Sequence, residues 1–135
     1  MSTSDLTPTV VLVHGAFVDA SSWNGVIAEL KAAGLDVVAP PNLLRGVGVD
    51  TLARTQRPAS LAAFATAVTG RPAWQRLPSW AVVATADHAI HPQAERDMAK
   101  RAGSEITEID ASHAVPATHP ADVAAVIVRT VKAIR

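Results

Sequence analysis

Thr9-Val10-Val11-Leu12-Val13-His14-Gly15 is the stretch on which the reading of this chain turns. A run rich in β-branched residues, apolar at consecutive positions and closed by His-Gly, reads as a strand buried on both faces, the kind found in parallel sheets. A helix is expected next. Trp23, Val26, Ile27 and Leu30 recur at helical spacing, with Ser21 or Ser22 placed to cap the start and Gly34 just past the end. Asp36-Val37-Val38-Ala39 then reads as a second short strand, stopped by Pro40-Pro41.

The same alternation continues toward the C-terminus. After a loop from Leu43 to Val49, Thr51 to Gln56 predicts a short helix capped by Asp50. Leu61, Phe64, Ala65 and Val68 predict another behind the cap Ser60. Trp80 to Thr85 is the next strand, and Pro92 opens a helix whose inward stripe is read as Ala94, Met98 and Ala102, ending at Gly103. Glu105 to Asp110 is a more polar strand suited to a sheet edge, and Pro120 opens a last helix carrying Val123, Val126, Ile127, Val131 and Ile134. Strands alternating with helices call for a parallel sheet with helices on both faces, and right-handed crossovers leave few arrangements. The expected order is 2-1-3-4, a four-stranded α/β sheet whose chain reverses direction between the first and third strands. Ligands in such sheets bind outside the carboxyl ends of the strands at that reversal.

Composition narrows the function classes. With 135 residues, 49% of them hydrophobic, residues 1–135 are expected to form one domain around one core. Twelve basic residues balance twelve acidic ones, so no stripe of positive charge exists to hold nucleic acid. The chain has no cysteine, which removes disulfides, thiolate metal sites and a cysteine nucleophile. Met1 to Pro8 lacks the pattern of a secretory signal, and no apolar run approaches the roughly 20 residues of a membrane span. The expectation is therefore a soluble cytoplasmic protein without membrane contact. Gly46-Val47-Gly48 is too little for a phosphate loop, and no cofactor is expected.

His14, Asp87, His88, His91 and His113 all follow predicted strand ends, and so fall at one rim of the expected sheet. An imidazole with a carboxylate behind it makes a general base near neutral pH, because the carboxylate sets the tautomer and stabilises the imidazolium. Asp87 and His113 can form such a pair. Each also has a plainer reading: an aspartate in a strand-to-helix loop commonly holds a turn, and a loop histidine is commonly just solvated. His14 can be there for the tight turn at Gly15, His119 for the helix entry at Pro120, and Ser21 and Ser22 as helix caps. His88 and His91 near Asp87 and His113 raise the alternative of a zinc-dependent hydrolase, although their spacing matches no specific zinc motif.

Two stretches carry a resemblance that spacing alone does not supply. Val10-Val11-Leu12-Val13-His14-Gly15-Ala16-Phe17, continuing through Ser21-Ser22-Trp23 to Ala39-Pro40, resembles the opening of α/β-hydrolases related to plant methylesterases and hydroxynitrile lyases. Pro78-Ser79-Trp80 through Asp87-His88-Ala89-Ile90, then Asp110-Ala111-Ser112-His113-Ala114-Val115, resembles the closing part of the same family. The resemblance implies a minimal α/β-hydrolase-like three-layer sandwich. It further implies that Ala16 or Phe17 gives a backbone N–H to an oxyanion hole beside His14 and Gly15, that Asp87 is the triad acid, and that His113 is the base.

The chain also departs from that pattern. Members of the family carry, at a point corresponding to about Asp50 and Thr51, a helix, the strand into a G-x-S-x-G elbow, and a further strand and cap region. None of these is present, and the sequence holds no G-x-S-x-G. Removing two neighbouring strands, each about 4.8 Å wide, should bring the Asp87 loop nearer the oxyanion loop by on the order of 10 Å. The resulting expectation is an esterase-like hydrolase of small, uncharged, activated esters. Its His113 activates a water or a serine outside any elbow, Ser22 before Ser21, with His88 beside the substrate. The non-catalytic alternative is a remnant that only folds and associates. Apolar surface uncovered by the shortening points to a homo-oligomer.

Overall fold

The computed structural model describes residues 8–13, 15, 20–40, 67 and 69–134. Its elements alternate as expected. Strand β1 is Thr9–Val11, helix α1 is Asn24–Ala32, β2 is Asp36–Val38, β3 is Trp80–Ala84, α2 is Pro92–Ala102 and β4 is Glu105–Ile109. A single turn, α3 (Val115–Thr118), then leads into the long helix α4, Pro120–Ala133. The helices expected over 51–56 and 61–68 lie outside the described residues, apart from Ala67.

Both strand pairs are parallel, β1 with β2 and β3 with β4. The expected link between the first and third strands is not made: the described strands form two two-stranded sheets where one sheet of four, in the order 2-1-3-4, was anticipated. Part of the reason lies on β3. In a parallel ladder alternate residues address opposite neighbours. The amide of Thr85 and the carbonyl of Ser79 face β4, so the amide of Ala84 faces the other edge. There it donates to Glu95 Oε2 at 3.3 Å, and a side chain of α2 occupies the position that a neighbouring strand's carbonyl would take. An inward-pointing charge is one of the ways natural sheets end at an edge.

Helices join what the ladders do not. Leu12 beyond β1, Val26 and Leu30 of α1, Ala84 of β3, Ile109 of β4 and Val123 of α4 belong to one buried cluster, so both sheets share a core. Coverage of the first sheet is one-sided. Val10, Val37 and Ala39 pack against the cluster, whereas Val11, Val13 and Val38 are exposed among the described residues, so no helix expected on that second face is among them. The apolar run predicts burial on both sides, yet among the described residues only one side has a partner.

Helix borders follow the local chemistry closely. Gly103 ends α2 in the left-handed region at φ 69°, with its own amide on Lys100 O and that of Ser104 on Ala99 O, and Gly34 closes α1 in the same way. At the start of α1 the structure differs from the expected serine cap. A 3₁₀ turn, Ala20–Trp23, precedes the helix and makes Trp23 its cap residue, without a side-chain bond. On α2 the inward stripe is Glu95, Ala99 and Ala102, one position round from the expected one, and Met98 is exposed. Arg96 sets that rotation: its guanidinium grips Glu108 of β4 through two bonds of 2.8 and 2.9 Å.

Where α1 crosses α4, Gly25 leaves no room for a side chain. A Cβ there would lie 2.7 Å from Pro120 Cβ and 3.0 Å from its Cγ. Alanine improves helix propensity by up to about 1 kcal/mol, while forcing a methyl into a filled contact costs about 1–3 kcal/mol. The second effect wins because proline is rigid. Gly25→Ala should therefore lower the urea midpoint, and an unchanged or raised midpoint would show that the α1–α4 crossing is looser than described.

Candidate active site

The β3–β4 register assembles the site. Trp80 stands opposite Glu105 and Ala84 opposite Ile109. The pairing runs past the strand ends through Thr85 N to Ile109 O at 2.9 Å and Ala86 N to Ala111 O at 3.1 Å. The two following loops are thereby stitched together for their first residues, and Asp87 and His113 emerge side by side. His113 Nδ1 lies 2.7 Å from Asp87 Oδ2.

Each oxygen of Asp87 has its own task. Oδ1 accepts from the amides of Ala89 at 2.7 Å and Ile90 at 3.0 Å, which folds the loop around the carboxylate. Oδ2 is left for the histidine. The residue is 5% exposed, and a carboxylate buried so far must be paired or hydrogen-bonded to stay charged. The hydrogen bond from His113 holds its carboxyl below the ordinary value, against the upward push of burial, with help from the Ile90 and Ala89 amides. The turn-forming reading of Asp87 and the base-orienting one are both true of this geometry.

An ionised carboxylate can only accept, so the proton between the pair sits on His113 Nδ1. In the neutral ring Nε2 is then the free acceptor, the nitrogen able to take a proton from a reacting group. The imidazole is 59% exposed and also borders a cavity of about 240 Å³. Val82 and Ala84 of β3, Val115 of α3 and Trp23 line that cavity, with Glu95 as its carboxylate. The Trp23 indole N–H is buried without an acceptor among the described residues.

The other expected site residues are placed less centrally. Ser21 and Ser22 lie in the 3₁₀ turn just before Trp23, and neither lines the cavity. Gly15 is exposed, while His14, Ala16 and Phe17 fall outside the described residues. His88 is exposed and away from the cavity wall. His91 Nδ1 accepts from the Gln93 amide at 3.2 Å and so caps α2. Among the described residues no three His, Cys, Asp or Glu side chains gather closely enough to hold a metal, so nothing there supports the zinc alternative raised for His88 and His91. No described helix is long and apolar enough to cross a membrane. Sequence reading missed Glu95; the signal was the 95, 99, 102 spacing, which puts it on the same helix face as Ala99.

Parallel strand–helix units that bring a carboxylate and an imidazole together at the strand ends carry two of the three groups of a hydrolase triad. The chain matches the alpha/beta hydrolase family over residues 39–126, and it belongs to that family. Its members are generally hydrolytic enzymes. No curated protein and no solved structure gives a match.

Asp87 also makes a stability prediction. Its folded-state pKa lies below the unfolded one, so the stability it contributes is complete above about pH 4 and is lost as pH falls through the folded value. Asp87→Asn should therefore lie below wild type at neutral pH and converge with it in acid. Urea midpoints taken from about pH 3 to 6 check this, and a gap that stays constant down to the lowest pH would contradict it.

Proposed function

We propose that this chain is an esterase-like hydrolase in which His113, oriented by Asp87, acts as general base on water. The observation that carries the reading is the 2.7 Å bond between His113 Nδ1 and Asp87 Oδ2, made by an imidazole that borders both solvent and a half-open, largely apolar pocket. Water is favoured over Ser22 because the imidazole is open to solvent and the serine does not line the cavity.

In this reading His113 Nε2 takes a proton from the water as its oxygen bonds to the ester carbonyl carbon. Asp87 steadies the imidazolium that results. The tetrahedral intermediate then expels the alcohol as His113 returns the proton to the leaving oxygen, giving acid and alcohol with every atom accounted for. The amide of Ala16 or Phe17 is the proposed oxyanion donor, a role that rests on the family resemblance. Without an acyl-enzyme the rate gain is that of general base catalysis, about 10²–10⁴-fold, so the enzyme is slow and works best on activated esters.

Hydrolysis of an aryl acetate by the purified variants tests the proposal. His113→Ala should lower kcat/KM by about 10²-fold or more, and Asp87→Ala by a comparable factor, because a mis-set tautomer disables the base. Ser22→Ala should stay within about twofold, and no acylated protein should be seen by mass spectrometry in a burst experiment. If both triad-type substitutions leave the rate at wild-type level, the site has no part in hydrolysis. If Ser22→Ala matches His113→Ala, the nucleophile is the serine.

A further inference from the structure

Glu95 has a place that the proposed hydrolysis does not require. It stands in the wall of the cavity that His113 borders, together with an apolar lining that includes Val82 and Val123. One oxygen receives a single long bond from the Ala84 amide, and the other has no hydrogen-bond or ion-pair partner among the described residues. Among the described residues no lysine or arginine lines the cavity. The ionisable side chains in its wall, among the described residues, are Glu95 and His113, the latter paired with Asp87. A carboxylate in a largely apolar wall attracts an organic cation by its charge while the wall covers the alkyl part.

The aromatic wall points the same way. Trp23 Nε1 is sealed from water, so the part of the indole that borders the cavity is its carbon surface. Trp is the best of the side chains for attracting an organic cation. A carboxylate, an indole and aliphatic walls are together the chemistry that recognises an alkylammonium group rather than a metal ion, which needs several oxygen or nitrogen ligands. The volume of about 240 Å³ lies below the usual range for drug-sized ligands and limits the guest to a small one.

We infer that Glu95 and Trp23 form a subsite for a small alkylammonium group beside His113, so that the preferred ester carries a positive charge on its acyl or alcohol part. As a statement about substrate the inference rests on the hydrolase reading; as a statement about binding it does not. It replaces the small uncharged ester expected from the sequence with a cationic one.

Choline and its uncharged isostere 3,3-dimethylbutan-1-ol separate charge from shape, and neither is hydrolysed. Titrations followed by the Trp23 indole and His113 ring resonances should show choline binding about tenfold more tightly, a preference that weakens as salt is raised. Glu95→Gln keeps an oxygen for the Ala84 amide but removes the charge. It should leave the urea midpoint near wild type and bring the two affinities within about twofold. Trp23→Phe should weaken choline more than the alcohol. His113→Ala should keep the preference for choline, which separates this inference from the fate of the catalytic one. Equal affinities in wild type, no binding of either compound, or a choline preference that survives Glu95→Gln would each overturn it.

Discussion

Everything chemical in this protein hangs on the parallel ladder between β3 and β4 and its continuation past the strand ends. Ala86 N on Ala111 O is the last stitch, and it leaves two loops with no choice but to run together. Asp87 and His113 come from segments 26 residues apart, yet they meet because the register aligns the strands that precede them. A one-residue slip would turn every side chain of β4 to the other face and part the pair.

Burial then decides how the pair behaves. Asp87 is held in the interior by two amides of its own loop, so its remaining oxygen is a fixed acceptor. His113 keeps one nitrogen against that acceptor and the rest of its ring in the open. This division between a buried anchor and an accessible ring gives orientation without closing off the solvent. A water-based mechanism needs both.

Glu95 links the architecture to the site. By taking the Ala84 amide it ends β3 on the side where another strand would add, and the same carboxylate then borders the cavity. The two sheets are joined instead through helix packing, above all where Gly25 lets α1 close on Pro120 of α4. That closeness keeps Trp23, one residue before α1, against the wall built by β3 and α4.

Much of the fold was legible in the residues alone. The strands, the helices opening at Pro92 and Pro120, and the ends at Gly34 and Gly103 all follow from local rules, because capping, proline geometry and periodicity act over a few residues. The candidate acid and base were legible as residues at strand ends, and as matches to a family pattern. Their meeting was not, since register is a relation between distant segments that no single stretch encodes. Nor was the inward face of α2, where Met98 looked like core and Glu95 like surface. The Arg96–Glu108 grip and the Glu95 bond to the Ala84 amide accompany that rotation, and both exist only once the strands are side by side. The amino-acid order by itself determined the elements, their borders and the chemical groups available. Tertiary packing alone decided how many sheets form, which groups share a cavity and which charge faces it, because those outcomes depend on contacts between segments that local preferences leave open.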